Sequence, residues 1–290
     1  MDRLLAVAVL TAVIHLVNTL TYSVRLSGVR TQRLATAFSL FNVIFLLAST
    51  ANTIQGPLLS SIVERAINIG QAQISGNIPG DQLVNQPVYQ EQLALLDHNI
   101  RFVIAAATVG TIVGTALIPA FVRIFIRAIL LFEESGSVPR MIGMVIISPR
   151  RLFNLSRQLY FPRRNSLKLL TARRIALPKT FLVLNIVVTG VYTTGVLSAL
   201  YAGALFPDFR STAALLSAVI NGIATVLAAT VVDPTAASIT DQALRGERSE
   251  DDVKQMALYL SVTRFLGTVF AQFIFLPSAY FIKLVASWLA

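Results

Sequence analysis

The chain has 290 residues, of which 55% are hydrophobic and 13% charged, and its mean hydropathy is +0.70. Such a composition argues against a soluble domain, whose helices need polar outer faces. The absence of cysteine excludes disulfide and thiol chemistry. The net charge of +10 is best read as a topology signal rather than a nucleic-acid footprint, because the basic residues gather at one membrane face.

Six apolar runs are long enough to cross a bilayer, which takes about 20 residues per helix. They are Leu4–Val24, Leu34–Leu59, Phe102–Val122, Phe181–Tyr201, Thr212–Val232 and Leu258–Leu276. The fold expected is an all-α polytopic membrane protein, a single transmembrane domain over 1–290 with basic amphipathic helices on its cytoplasmic side. The N-terminus carries one Arg beside one Asp and runs straight into the first span, so no cleavable signal is read there.

In the first span His15, Asn18, Tyr22 and Arg25 recur at helical spacing and share one face. A basic turn with Arg25, Arg30 and Arg33 follows. In the second span Ser39, Asn42, Ser49 and Thr53 form a matching stripe, and Asn52, Gln55 and Pro57 are expected to disturb its far end. The loop from about 60 to 99 reads as a solvated connector with a short helix near Gln90–Leu96. In the third span Ala106, Gly110 and Gly114 place a small residue every four positions. That pattern serves either a homodimer seam or close packing within the chain.

The segment 134–179 interleaves Leu152, Phe153, Leu155, Leu159 and Phe161 with Arg151, Arg157, Arg163 and Arg164. This suits basic amphipathic helices lying on an anionic leaflet, so anionic lipids are expected partners at that face. The fourth span carries Asn185, Thr189 and Tyr192. The fifth carries Ser217, Asn221, Thr225 and Asp233, with Pro234 expected to end the helix. The sixth carries Ser261, Arg264, Thr268 and Gln272, and its pattern breaks at Pro277, leaving the path of the tail open.

Eighteen of the 24 basic residues fall in the odd-numbered loops and five on the opposite side. By the positive-inside bias both termini lie outside and the odd loops in the cytoplasm. The two three-span halves insert in opposite orientations, as an inverted repeat requires, but no residue match between them accompanies it.

Ser, Thr and Asn inside a membrane usually tie helices together. Arg264 differs: an Arg at the bilayer centre costs at least about 2.5–3.5 kcal/mol, so it needs a partner or a wet cavity. An ion pair with Asp233 is the expected structural solution. His15 reads as a hydrogen-bonded neutral side chain or a proton relay. No catalytic, metal or cofactor motif stands out, so no enzyme, metal or cofactor is expected.

The run Tyr22-Ser23-Val24-Arg25-Leu26-Ser27-Gly28-Val29-Arg30-Thr31, then Ser39-Leu40-Phe41-Asn42, then Asn52 to Leu59, resembles the Amj ("alternate to MurJ") family, as do Asp233-Pro234 and Thr240-Asp241. The resemblance implies a flippase of lipid II, the undecaprenyl-pyrophosphate-linked disaccharide-pentapeptide of peptidoglycan synthesis, in the bacterial cytoplasmic membrane. Read with that substrate, Arg25 and Arg264 flank the pyrophosphate, Arg30 and Arg33 draw it in, and Tyr22, Asn18 and His15 mark the way out, with Asn42, Asn52 and Asp233 along the path. Two other classes stay open: a proton-coupled transporter of another solute or polyprenyl-linked sugar, for which His15 and Asp233 matter most, and a membrane enzyme or scaffold of cell-wall synthesis.

Overall fold

A computed structural model describes residues 2–74, 79–147 and 177–289. The amphipathic stretch expected around Leu152–Arg164 lies outside the described residues. Among the described residues the protein is helical, with no strand. The elements are α1 (Asp2–Thr31), α2 (Leu34–Ala72), the short α3 (Gly80–Leu83), α4 (Pro87–Ser135), α5 (Val138–Ile147), α6 (Lys179–Leu205), a 3-10 turn (Pro207–Phe209), α7 (Arg210–Leu227), a π turn (Ala228–Val232), α8 (Asp233–Leu244) and α9 (Glu250–Leu289). Six helical stretches are long and apolar enough to span a membrane, with α7, the π turn and α8 together forming the fifth.

The expected spans all exist, but the helices outrun them. Helix α4 has 49 residues, so at 1.5 Å per residue it is ~74 Å long, over twice the ~30 Å hydrocarbon thickness. The connector expected over 60–99 is largely helix, because α2 continues to Ala72 and α4 starts at Pro87. Periodicity alone does not mark where a helix leaves the membrane. Prolines also end fewer helices than expected. Pro57, Pro119 and Pro277 lie within α2, α4 and α9, and the tail after Pro277 is plain α-helix to Leu289. Pro234 sits in the first turn of α8, directly after the π turn. The wider π turn absorbs the backbone mismatch that a proline without N–H creates, so the chain stays helical through Asp233.

Two seams bring backbones into near contact. A Cβ added at Gly110 of α4 would lie 2.1 Å from the Ala12 carbonyl oxygen of α1, and one at Gly114 2.9 Å from that of Leu16. A Cβ at Gly267 of α9 would meet Thr189 of α6 at 2.5 Å. In a membrane, helices associate through such close van der Waals packing rather than through expulsion of water. Gly110 and Gly114 of the small-residue stripe are therefore packed against α1 of the same chain.

The bundle has two ends, one holding the α1–α2 and α8–α9 turns, the other both termini. At the turn end the core is split. Val17, Leu20 and Val24 of α1 pack with Ala37, Leu40, Phe41 and Ala48 of α2 and Phe125 and Ile129 of α4. Tyr22, Leu26 and Val29 pack with α8 and α9 residues such as Ile239, Met256 and Leu260. At the terminal end one cluster joins α1, α2, α3, α4, α6 and α9, including Leu59, Ile67, Tyr89, Tyr201 and Phe275. Hydrogen bonds reinforce it: Tyr89 Oη donates to the Ala204 carbonyl at 2.8 Å, and Gln272 and Arg101 exchange bonds with each other's carbonyls at 2.9 and 3.0 Å.

Gly110→Ala must push α1 and α4 apart, and overpacking of this kind costs about 1–3 kcal/mol. Gly56, which meets nothing within 4 Å, is the control. Thermal melting of the purified variants should show a lowered midpoint for Gly110→Ala and an unchanged or raised one for Gly56→Ala.

Candidate functional site

The α4 contact uses Ala12, Leu16 and Thr19 of α1. Ile14, Asn18, Thr21 and Arg25 lie roughly opposite, at about 100° per residue. All four are half-buried. They form the floor of a groove between the two turn-end cores. Its walls are α2 on one side and α8 on the other, and both reach Arg25. The Arg25 guanidinium carbon lies 5.4 Å from the centre of the Phe38 ring of α2, a cation–π geometry. Its Nη2 is 4.0 Å from Asp233 Oδ1 of α8. The Arg25 side chain is 11% exposed and that of Asp233 67%. Arg25 is thus held in the floor while Asp233 remains open to an incoming group.

Toward the terminal end the groove closes. Helix α2, which flanks α1 on the Val17–Leu20–Val24 side lower down, crosses the polar face of α1. There Gln55 Nε2 donates to Thr11 Oγ1 at 2.6 Å in a buried contact. One helical turn below, His15 is 7% exposed and its Nδ1 has no hydrogen-bond partner. Arg264 lies on the inward face of α9, among buried Leu260, Ser261, Thr268 and Ala271. Its Nε is buried and unpartnered.

The chain matches the family described as "Amj: Alternate to MurJ" over residues 10–286. It belongs to the Amj family. It is 35% identical to the "Lipid II flippase Amj" of Bacillus subtilis (strain 168) over 275 residues, which cover 95% of this chain and 93% of that protein. No solved structure matches it. With six apolar helices and this family membership, the protein is a multi-pass membrane protein.

The site expected of this Amj-family chain is partly regrouped by the structure. His15, Asn18 and Arg25 do share one side of α1, and Asn42 and Asn52 are exposed on α2. The ring of Tyr22, expected on the path, is 8% exposed and belongs to the turn-end core. The expected Asp233–Arg264 pair does not form among the described residues: Asp233 lies 4.0 Å from Arg25, and the Nε of Arg264 has no partner. Arg30 and Arg33 are each paired with a carboxylate. Arg30 donates to Glu250 Oε1 from Nε at 2.9 Å and Nη2 at 2.7 Å, and Lys254 joins the same oxygen at 2.8 Å. Arg33 pairs with Glu133. These pairs clamp the α1–α2 turn to α9 and α4. Glu133 and Glu250 carry no motif, and only the position of each at the start or end of a long helix marks them.

The Arg30–Glu250 clamp should behave as one coupled, partly exposed unit. Arg30→Gln and Glu250→Gln should each cost about 0.2–1 kcal/mol, and the double variant no more than the larger single change. Melting midpoints of the four proteins give the test. Full additivity would mean that the two side chains act separately.

Proposed function

We propose that the protein moves lipid II from the inner to the outer leaflet of the bacterial cytoplasmic membrane. The observation that carries this reading is the groove, with the half-buried Arg25 and the exposed Asp233 at its turn end and the buried Gln55–Thr11 contact at its other end. Such a shape admits a polar, anionic head while leaving the lipid's tail in the bilayer. The relative named for flipping lipid II supports the choice of cargo. No bond is made or broken in this process, so the protein acts as a transporter and not as an enzyme.

In this reading the turn end is cytoplasmic and both termini are outside, following the eighteen-to-five split of basic residues. Anionic lipids of the inner leaflet complement the basic charge that the sequence carries over 151–164. Arg25 receives the pyrophosphate. Its planar guanidinium sits over Phe38 and meets phosphate oxygens two at a time. Asp233, facing Arg25 at only 4.0 Å, neutralises it in the empty state and is displaced when the anion arrives. Beyond Arg25 the floor is neutral at Thr21, Asn18 and Ile14, so the head is not held all along the way, as transport requires.

The orientation is testable because the chain has no native cysteine. In intact cells an impermeant thiol reagent should label Gln73→Cys and leave Gln32→Cys and Glu247→Cys unlabelled until the cells are opened; the reverse pattern would invert the topology.

Flipping is tested by head-group access in proteoliposomes loaded with lipid II. Wild-type protein should expose inner-leaflet lipid II without changing its mass, whereas an enzyme would alter the mass. Arg25→Lys retains charge but not the two-pronged geometry, and loss of one charge-assisted hydrogen bond of about 1.5–3 kcal/mol corresponds to a roughly tenfold or greater fall in rate. If Arg25 is only a positive anchor at a helix end, Arg25→Lys will flip at the wild-type rate, since Lys snorkels equally well.

A further inference from the structure

Arg25 pairs with Asp233 at 4.0 Å, whereas Arg264 forms no ion pair among the described residues. Arg264 stands instead near the level of His15: on α9, Leu260 packs with Tyr22 and Leu26 of α1, and Ala271 and Phe275 pack with Val7, while His15 is ten residues from Arg25 along α1, which is ~15 Å at 1.5 Å per residue. The two arginines that the sequence assigns to one pyrophosphate therefore occupy separate levels of the groove.

Arg264 makes no hydrogen bond or ion pair among the described residues. Its Nε is buried and unpartnered, and so is the Nδ1 of His15, a side chain more than nine-tenths buried. Buried polar groups are nearly always satisfied, and an Arg within a span faces a partner or a wet cavity. Two unsatisfied nitrogens from neighbouring helices thus lie at one level of the bundle, about a turn below the Gln55–Thr11 contact. Both fit the same kind of ligand: Arg supplies several N–H donors, and an imidazole nitrogen donates when it carries a proton. Asn18, half-buried on the same side of α1 and one turn nearer Arg25, makes no hydrogen bond among the described residues, so the interval between the two levels is polar without being charged.

We propose that Arg264 and His15 form a second phosphate-binding site at the closed end of the groove, distinct from Arg25, which takes up the cargo's pyrophosphate before release on the far side. The proposal rests on the reading of the cargo as a polyprenyl-linked pyrophosphate. The head passes from a site neutralised by Asp233 to one with no acid facing it, and the second site holds the anion directly under the contact that must part for exit. Arg264 is thereby satisfied when loaded and exposed to an unfavourable, unpaired state when empty, which favours refilling from the cytoplasmic side.

The full-length protein in lipid nanodiscs gives the test, with undecaprenyl pyrophosphate as probe and undecaprenol as the phosphate-free control. With the first site removed by Arg25→Gln, the pyrophosphate should still raise the melting midpoint, and undecaprenol should not. Adding Arg264→Gln should raise the concentration for half-maximal shift about tenfold or more, as expected for a lost charge-assisted bond, and Arg264→Lys should recover part of it. Where the double variant does not fold, His15→Gln in the Arg25→Gln background serves instead and should weaken the shift while Arg264 is intact. Loss of all binding in folded Arg25→Gln protein would show a single site and overturn the proposal. So would an undiminished shift in the Arg25→Gln/Arg264→Gln protein. If wild-type proteoliposomes fail to flip lipid II while the Arg264-dependent shift persists, the site stands and the lipid II reading falls.

Discussion

The arrangement depends on the bare backbone contact between α1 and α4. Because Gly110 and Gly114 carry no side chain, α4 approaches Ala12 and Leu16 closely enough to fix the rotation of α1. Once that rotation is fixed, the side bearing Asn18 and Arg25 must face away from α4, and the flanking faces go to α2 and α9. Hydrophobic burial does not set the angle, because lipid tails are as apolar as Leu and any apolar face is content in the bilayer. Shape does. A methyl group at position 110 would not merely loosen a helix pair; it would turn the polar stripe relative to Phe38 and Asp233.

The charges then divide by location. At the turn end, basic side chains are matched: Arg30 with Glu250, Arg33 with Glu133, Arg25 with Asp233. Deeper in, Arg264 has no acid partner among the described residues. A charge without a counter-charge inside a membrane is expensive, and such residues mark ligand or ion pathways. The difference between Arg25 and Arg264 is thus a difference between a cation at rest with a removable partner and one still lacking a partner. Exposure sharpens the point for Arg25: its carboxylate partner is the more exposed member of the pair, so an anion arriving by the groove meets that partner first.

Much of this was legible in the sequence, and the losses have a common cause. The six spans follow from apolar length, and the stripes on α1 and α2 follow from helical spacing. What the spacing does not carry is which helix stands opposite. Asp233 and Arg264 lie on stripes of neighbouring spans and so read as partners, yet the π turn before Asp233 rotates it toward α1. Tyr22 shares the face of His15 and Arg25, but α8 and α9 cover that face at its level, and the ring enters the core. The small-residue stripe of α4 gave no hint of its own partner. Helix ends were hardest, because a helix that leaves the bilayer keeps its hydrogen bonds and needs only a change of surface polarity.

The closed end of the groove is held by packing more than by its hydrogen bond. The Gln55–Thr11 contact is worth roughly 0.6 kcal/mol if it resembles other interhelical bonds in membranes. The surrounding cluster, from Val7 through Leu59 and Tyr201 to Phe275, is the main resistance. Helix α2 serves both parts: its first half lines the open groove, and its second half belongs to that cluster. Between them come Gln55, Gly56 and Pro57. Pro57 offers no N–H to the Thr53 carbonyl, and a Cβ added at Gly56 would meet nothing within 4 Å. The helix is therefore least resistant to bending where its two duties meet. A stiff residue pair there would bind the lining of the groove rigidly to its seal. With Gly-Pro, the terminal arm can shift with its cluster while Ala37, Leu40 and Phe41 keep their places against α1 and α4.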